Sequence, residues 1–453
     1  MDKFDVIIAG AGTGGSLAAR TVAEAGFRVC FLDRKKRADI GKKVCGDAIG
    51  RHHFSNLGLK EPTSDEVECF MEGVEIYSPD QKTSYVVKGE ELYGFVLNRH
   101  RFGQRLITEA EDAGAVLYDQ TQVLDPILEA ERVCGVKTKN LKTQSEKTLR
   151  GSLVIEASGF MAALRKKLPP NLGIDRTVDN QDVEACYREI RSLNRALDDK
   201  TLCQIYLNQT TTPGGYYWVF PKKGNRVNVG LGVAMVKGFP RPKDQLYQHV
   251  LSQPLFAGSS IIEGGAWYVP TRRPLNSMVG NGVLVVGDAA CQVNPIHGGG
   301  IGPSMIGGKL AGETAVKALQ EGILTREALW EYNTRYISDY GAKQAGLEVF
   351  RILLQSVSDE DLNYGMHHRL LTEEDLLKAS LGDDIHFSIT EKARRVFKGL
   401  KNITFLRKLR NTSKLIREVK SWYQNYPSSP AGFEKWKTRT DELFKKTLDQ
   451  LTK

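Results

Sequence analysis

Nowhere in the 453 residues is there a run of about 18 uninterrupted apolar residues, so no segment reads as a helix able to cross a bilayer. Met1-Asp2-Lys3 leads straight into Val6-Ile7-Ile8-Ala9, with neither a signal peptide nor an Arg/Ser-rich transit sequence, and the expected location is the cytosol. The seven cysteines (30, 45, 69, 134, 186, 203 and 291) include no Cys-x-x-Cys pair and no zinc-like spacing, which points to free thiols in a reducing compartment. No His-Glu-x-x-His and no Ser-His-Asp order is present, so hydrolytic and metal chemistry have no support, and no metal site is expected. Repeats and low-complexity stretches are also lacking, as are stacking aromatics on a nucleic-acid-binding fold, which removes nucleic acid from the expected partners.

What is present is a chain with 41% hydrophobic residues and a mean hydropathy of -0.33, long enough for two or three structural units. Its net charge of +9 is unevenly placed: residues 391–453 hold 17 Lys and Arg against 6 Asp and Glu, and everything before them is slightly acidic. Such a basic tail suits an anionic lipid surface, a lipid phosphate, an acidic protein or plain solvent. Any membrane contact is peripheral.

Residues 4–9 read as a strand, 10–15 as a glycine turn, 15–25 as a helix and 28–32 as a second strand, the βαβ opening of a dinucleotide fold. Val283–Val286 reads as another buried strand, followed by a small-residue helix from about Pro303 to Leu319. Between them, alternating segments at 75–77, 84–87, 203–207, 216–220 and 227–233 suggest an antiparallel sheet. Beyond residue 325 the pattern is helical, with leucines and aromatics at three- and four-residue spacing through 345–380 and 390–426, a break at Pro427-Ser428-Ser429-Pro430, and a last helix. The fold class is α/β with an α+β substrate domain. A discontinuous dinucleotide domain is expected at 1–60, 95–170 and 275–335, a substrate domain at 61–94 and 171–274, and a basic helical domain at 336–453.

In Gly10-Ala11-Gly12-Thr13-Gly14-Gly15 the first glycine permits the tight turn, the second lets backbone approach a pyrophosphate, and Gly15 lets helix pack on strand. The phosphate then rests on free helix amides, with Asp33, at the end of the next strand, and its neighbour Arg34 beside the adenosine ribose. A NAD domain normally continues with further βα units, whereas here the second glycine segment, Gly287-Asp288-Ala289-Ala290 and then His297-Gly298-Gly299-Gly300-Ile301-Gly302, comes much later.

That distal segment resembles the flavin motif of the p-hydroxybenzoate hydroxylase-like flavoproteins. The resemblance implies FAD, a ribityl contact from Asp288, and amides at Gly299, Gly300 and Ile301 aimed at the pyrimidine end of the isoalloxazine, where reduction places negative charge. Lys43-Val44-Cys45-Gly46-Asp47-Ala48, Leu97-Asn98-Arg99 and Leu153 to Gly159 fit the same pattern, carrying over Cys45, Gly46, Ala48, Arg99 and Val123 as FAD contacts. Gly103 departs from it, since many relatives have an acid there. Arg99 also reads as a surface ion pair, and Cys45 as a small buried apolar residue.

Pro213-Gly214-Gly215-Tyr216-Tyr217-Trp218-Val219-Phe220-Pro221 is similar to the signature of the geranylgeranyl reductases, flavoproteins that saturate isolated double bonds of isoprenoid chains. Strand alternation puts Tyr216, Trp218 and Phe220 on one face, as an aromatic wall for a prenyl chain ending at Pro221 or as ordinary sheet core. The resemblance implies, within that family, the ether-phospholipid branch, with ferredoxin or NAD(P)H as electron source. Hydride from reduced flavin plus a proton, with Cys45 or Tyr206 as proton donor, is the expected chemistry. A flavin monooxygenase or halogenase of the same fold, and a non-enzymatic prenyl-binding escort protein, are the rival readings.

Overall fold

The computed structural model describes residues 3–381 and 403–452. Its first strand, Lys3–Ala9, is buried from Val6 to Ala9 because it runs through the middle of an eight-stranded sheet. It pairs in parallel with Val29–Leu32 on one side and Glu146–Glu156 on the other. Val116–Tyr118 extends one edge, and Val283–Val285 with Val279–Gly280 extends the other. Strands fully covered on both faces read as near-continuous apolar runs, as Val6-Ile7-Ile8-Ala9 and Val29-Cys30-Phe31-Leu32 do. The hairpin of Thr121–Glu129 and Arg132–Asn140 pairs antiparallel with Glu146–Glu156.

Two helices, Thr13–Glu24 and Ile301–Glu321, lie against each other, and glycines set how closely they approach. A β-carbon added at Gly308 would fall 2.2 Å from the carbonyl oxygen of Gly14, and one at Gly312 would fall 2.8 Å from Cβ of Thr21. The distal helix begins at Ile301, two residues ahead of the expected Pro303.

A seven-stranded sheet holds the strands between the glycine segments, in the order Ser260–Pro270, Val183–Ser192, Arg226–Ala234, Tyr216–Pro221, Leu202–Leu207, Gly73–Tyr77, Ser84–Lys88. The expected antiparallel arrangement holds for every pair but one: Leu202–Leu207 runs parallel to Gly73–Tyr77. More than a hundred residues separate those two strands, so a crossover replaces a hairpin. A small three-stranded sheet, Ala48–Gly50, Gly94–Leu97 and Val67–Met71, packs Met71 and Val96 against the aromatic strand.

The C-terminal helices complete the core rather than standing apart from it. Ala342–Gln355 packs on Ile403–Gln424, burying Leu409, Leu415, Ile416, Val419 and Tyr423, and Phe433–Leu451 adds Phe433, Trp436 and Leu443. These residues belong to the same apolar cluster as Val6 and Val285. Most of the tail's leucines and aromatics thus face inward, Leu448 excepted, and its outward side mixes Lys and Arg with Asp, Glu and small polar residues. Phe397 lies outside the described residues, and no described helix is long and apolar enough to cross a membrane.

Candidate functional site

The helix Thr13–Glu24 starts at Gly12 with no side-chain cap, so its first amides are free. Gly10 adopts φ +117° and lies so close to Ala157 that a β-carbon would sit 2.3 Å from its carbonyl oxygen, while one at Gly15 would strike the Gly10 carbonyl at 1.9 Å. A β-carbon at Gly12, in contrast, would meet nothing within 4 Å. The turn is closed where protein meets protein and open above the helix end, the cradle a diphosphate needs. Asp33 accepts from the amides of Ala11 (3.3 Å) and Lys35 (2.9 Å), which ties it to the turn. Arg34 is exposed, its guanidinium over the Trp267 ring. Val123 is half-buried on the hairpin, next to where the Thr121 amide donates to the Asp33 carbonyl.

Arg99 opens the helix Arg99–Asp112 and is 8% exposed, yet its Nε and Nη1 find no hydrogen-bond partner. A surface ion pair, one of the two sequence readings, is therefore not what this side chain makes. A buried guanidinium with orphaned donors fits an anionic or oxygen-rich ligand. Gly103 also has its explanation: a β-carbon there would fall 2.5 Å from Cα of Gly41, so direct packing of the helix on the loop leaves no room for an acid.

The segment from Lys43 to Ala48 is held from beneath by a buried polar network. Lys222 Nζ donates to Asp47 Oδ2 (3.0 Å) and to the Leu97 carbonyl (3.2 Å). Asn228 donates to the same Asp47 oxygen (3.0 Å) and to the Cys45 carbonyl (2.7 Å), and accepts from Trp218 Nε1 (3.0 Å). Cys45 is half-buried and its Sγ accepts from the Asp47 amide. The neighbouring lysines turn to carboxylates, Lys42 to Asp39 and Lys43 to Asp288 at 3.0 Å, instead of to the thiol. Gly46 faces Phe220, and Ala48 begins the small sheet.

On the distal side Asp288 lies over Gly300, and Gly300 caps Ile301–Glu321 without a side-chain bond, leaving the amides of that helix end free. Gly299 donates to Nδ1 of His297. His53 presses on Gly302, and burial, with His52 and His297 alongside, pulls its imidazole down to about 3. It stays neutral beside a helix N-terminus that favours negative charge.

Alternation along Tyr216–Pro221 is as read: Trp218, Phe220 and half-buried Tyr216 pack in one apolar cluster, Tyr217 and Val219 in another across the sheet. The wall is thus partly sheet core, with Met71, Val96 and Cys203 behind it. Tyr216 reaches furthest, its hydroxyl donating to the His297 carbonyl at 2.7 Å. Next to the wall, Gly230 and Gly232 let neighbouring side chains close over the strand: a β-carbon at Gly230 would meet Trp218 Cζ2 and Arg188 Cβ at 2.5 Å, and one at Gly232 would meet Glu184 Oε2 at 2.7 Å. Pro221 ends the strand opposite Val227.

Tyr206 lies on the other face of the sheet from Trp218 and Phe220. It stacks between Tyr77 (4.5 Å) and Tyr217 (4.4 Å) on the far face and donates to Gln204. Cys203 and Ile205 take the inner face instead. Tyr206→Phe is expected to leave lipid turnover within about twofold, as for a substitution away from the reacting groups, in a steady-state assay. Asp47, Lys222, Asn228, His53 and Glu184 went unassigned from sequence. The Gly-x-Gly inside a strand pattern at 230–232 was the available signal, since interior strand glycines mark close approach of a ligand or backbone.

Residues 182–283 match the model of the geranylgeranyl reductase catalytic domain, and residues 1–187 match that of the Thi4 family. A digeranylgeranylglycerophospholipid reductase of Sulfolobus acidocaldarius is 39% identical over 451 residues, spanning 98% of this chain and 99% of that one. Reductase 2 of the same name from Methanococcoides burtonii is 34% identical, over 80% of this chain and 87% of its own. Among solved structures, a geranylgeranyl bacteriochlorophyll reductase-like protein of Thermoplasma acidophilum superposes with a TM-score of 0.77 at 22% identity, covering 91% of this chain and all of that one. The myxobacterial chondrochloren halogenase, an FAD-dependent halogenase, gives 0.66 at 18% identity, covering 99% and 98%. The likeness to these two structures is one of fold. The chain belongs to the digeranylgeranylglycerophospholipid reductase family, flavin-dependent oxidoreductases acting on geranylgeranyl chains.

Proposed function

We propose that the chain saturates the isolated double bonds of geranylgeranyl chains on ether phospholipids, with FAD as its cofactor. The observation that carries this reading is the 39% identity, over nearly the whole chain, to a digeranylgeranylglycerophospholipid reductase, and the apolar wall of Tyr216, Trp218 and Phe220 beside the loop that Tyr216 grips at His297 suits it. A hydrocarbon offers no hydrogen-bond handles, so its affinity comes from buried apolar area at about 25 cal/mol per Å². Aromatic faces supply such area.

The residues fit the cofactor. Gly10, Gly12, Gly14 and Gly15 would take the pyrophosphate, Asp33 and Arg34 with Val123 the adenosine end, and Arg99 and Asp288 the ribityl and phosphate oxygens. Cys45, Gly46 and Ala48 would line the ring edge, with Gly299, Gly300 and Ile301 at its pyrimidine end. When bound and reduced, FAD supplies hydride. The protein's part is to hold the alkene against the Tyr216–Phe220 wall, keep water out with it, and offer amide donors at the start of Ile301–Glu321. The sequence holds no second Gly-x-Gly-x-x-Gly unit. The reductant is therefore a transient visitor, NAD(P)H or an acidic carrier such as ferredoxin, drawn by the outward lysines and arginines of the C-terminal helices, which also suit anionic lipid at a membrane surface.

Anaerobic mixing of the reduced protein with a geranylgeranyl ether lipid tests the function. Flavin reoxidation in step with addition of two hydrogens per saturated bond is expected. Flavin that stays reduced until oxygen is admitted overturns the reading in favour of a monooxygenase, and failure to take up FAD in favour of an escort protein. For the cofactor assignment, Arg99→Ala removes donors worth about 1.5–3 kcal/mol to a charged partner. Its FAD dissociation constant is expected to rise about 10- to 100-fold in a fluorescence titration of the apoprotein.

A further inference from the structure

We propose that Glu184 is the proton donor to the alkene. It sits on Val183–Ser192, opposite Ala234 on one neighbouring strand and Val269 on the other. It is 7% exposed, and its carboxyl end bends over Gly232: a β-carbon there would fall 2.7 Å from Glu184 Oε2 and 3.3 Å from Cys186 Sγ. Among the described residues the carboxyl has no hydrogen-bond partner. The roof over this spot is the distal loop. Gly298 lies against Val269, the register partner of Glu184, and Tyr216 on the same face holds His297. The carboxyl therefore lies where the aromatic wall meets the distal glycine loop.

The groups facing it are few. Cys186 and Cys45 share its space, as does the Tyr216 hydroxyl. Arg351, on Ala342–Gln355, is the cation that bears on it, and that guanidinium is already engaged with Asp182 at 2.8 Å. Burial pushes the Glu184 carboxyl up to about 7, with Arg351 opposing the shift, so near neutral pH a large share of it carries a proton. The same burial drives the Cys186 thiol and the Tyr216 phenol well above their ordinary values, which makes both weaker acids than they are in water. The carboxylic acid is the one able to give up a proton at moderate cost.

An isolated alkene accepts hydride poorly unless a proton arrives with it. The π pair takes the Glu184 proton at one carbon, and the electron-poor second carbon receives the hydride of the reductase reaction. Glu184 is left as carboxylate and recovers its proton from water before the next turnover. One hydride and one proton are added, and no further oxidant or reductant enters. The assignment rests on the reductase reading.

Two measurements on Glu184→Gln decide it. In the apoprotein, infrared difference spectra across pH should show a protonated-carboxyl band that titrates near pH 7 in the wild type and is missing from the variant. In anaerobic single turnover of the reduced holoenzyme with a geranylgeranyl ether lipid, the wild-type rate should fall about tenfold per pH unit above that midpoint. The variant should be at least about 100-fold slower and flat with pH, with FAD binding unchanged, while Glu184→Asp restores part of the pH dependence. A wild-type spectrum lacking that band, or a Glu184→Gln rate within a few-fold of wild type, overturns the assignment alone. Failure of the wild type to reduce the lipid overturns the reductase reading and this assignment with it.

Discussion

Lys222→Met is expected to cost about 3–5 kcal/mol of stability, because it leaves the Asp47 carboxylate buried without its cation. Both side chains are less than a tenth exposed, and the Lys222 ammonium is shared between Asp47 and the Leu97 carbonyl. Asp47 has little room to relax, since its backbone is at φ +70°, its Oδ1 is already without a partner, and Asn228 clamps its Oδ2. Asparagine tolerates that backbone conformation and keeps an oxygen for Asn228, so adding Asp47→Asn to Lys222→Met should recover more than half of the loss. Denaturant unfolding of the two single variants and the double variant reads the coupling. Strict additivity would mean that the pair does not act as a unit. Because Asn228 also holds the Cys45 carbonyl, Lys222→Met should weaken FAD binding as well, although Lys222 lies beneath the loop and not beside the cofactor.

Gly232→Val should abolish lipid reduction, by about 100-fold or more, while leaving the flavin in place. Its φ is not among the positive ones, so glycine is not required by the backbone there. Space is what requires it, and the atoms a new β-carbon would meet are the ends of Glu184 and Cys186, which can swing aside without breaking a strand. Valine therefore pushes the Glu184 carboxyl and the Cys186 thiol from their places without disrupting the sheet, and a shift of about 1 Å from the reacting geometry is enough for a loss of that size. Gly230 differs in that a β-carbon there would also meet the Tyr187 carbonyl oxygen at 2.8 Å, so substitution at that position mixes folding with catalysis. A Gly232→Val protein with normal flavin spectrum and normal lipid turnover would remove Gly232 and the side chains over it from the active site.

Local patterns carried the nucleotide half of the reading. A buried strand, a glycine turn and a small-residue helix are contiguous, and each is dictated by its own residues. The network under Cys45 was invisible for the opposite reason: Lys222 and Asp47 are 175 positions apart, and nothing near either names the other. Tyr206 shows a different limit. Alternation was correctly legible along its strand, but which face turns inward is fixed by the neighbouring sheet, where Met71 and Val96 meet Cys203 and leave Tyr206 outside. In the tail, leucines and aromatics at helical spacing describe a helix lying on a membrane as well as one lying on protein. Here Ala342–Gln355 takes that face. Glu184 looked like one more acid in a polar stretch, because burial belongs to the folded chain and not to the residue.

The nucleotide-binding sheet draws its central strands from residues 3–9, 146–156 and 283–285, and its apolar cluster closes only with Phe433, Trp436 and Leu451. A ribosome making this chain would therefore have to pass residue 285 before the last strand of that sheet exists, and residue 451 before its apolar cluster is covered. A chain that stops early is left with an open apolar cluster for quality control to find.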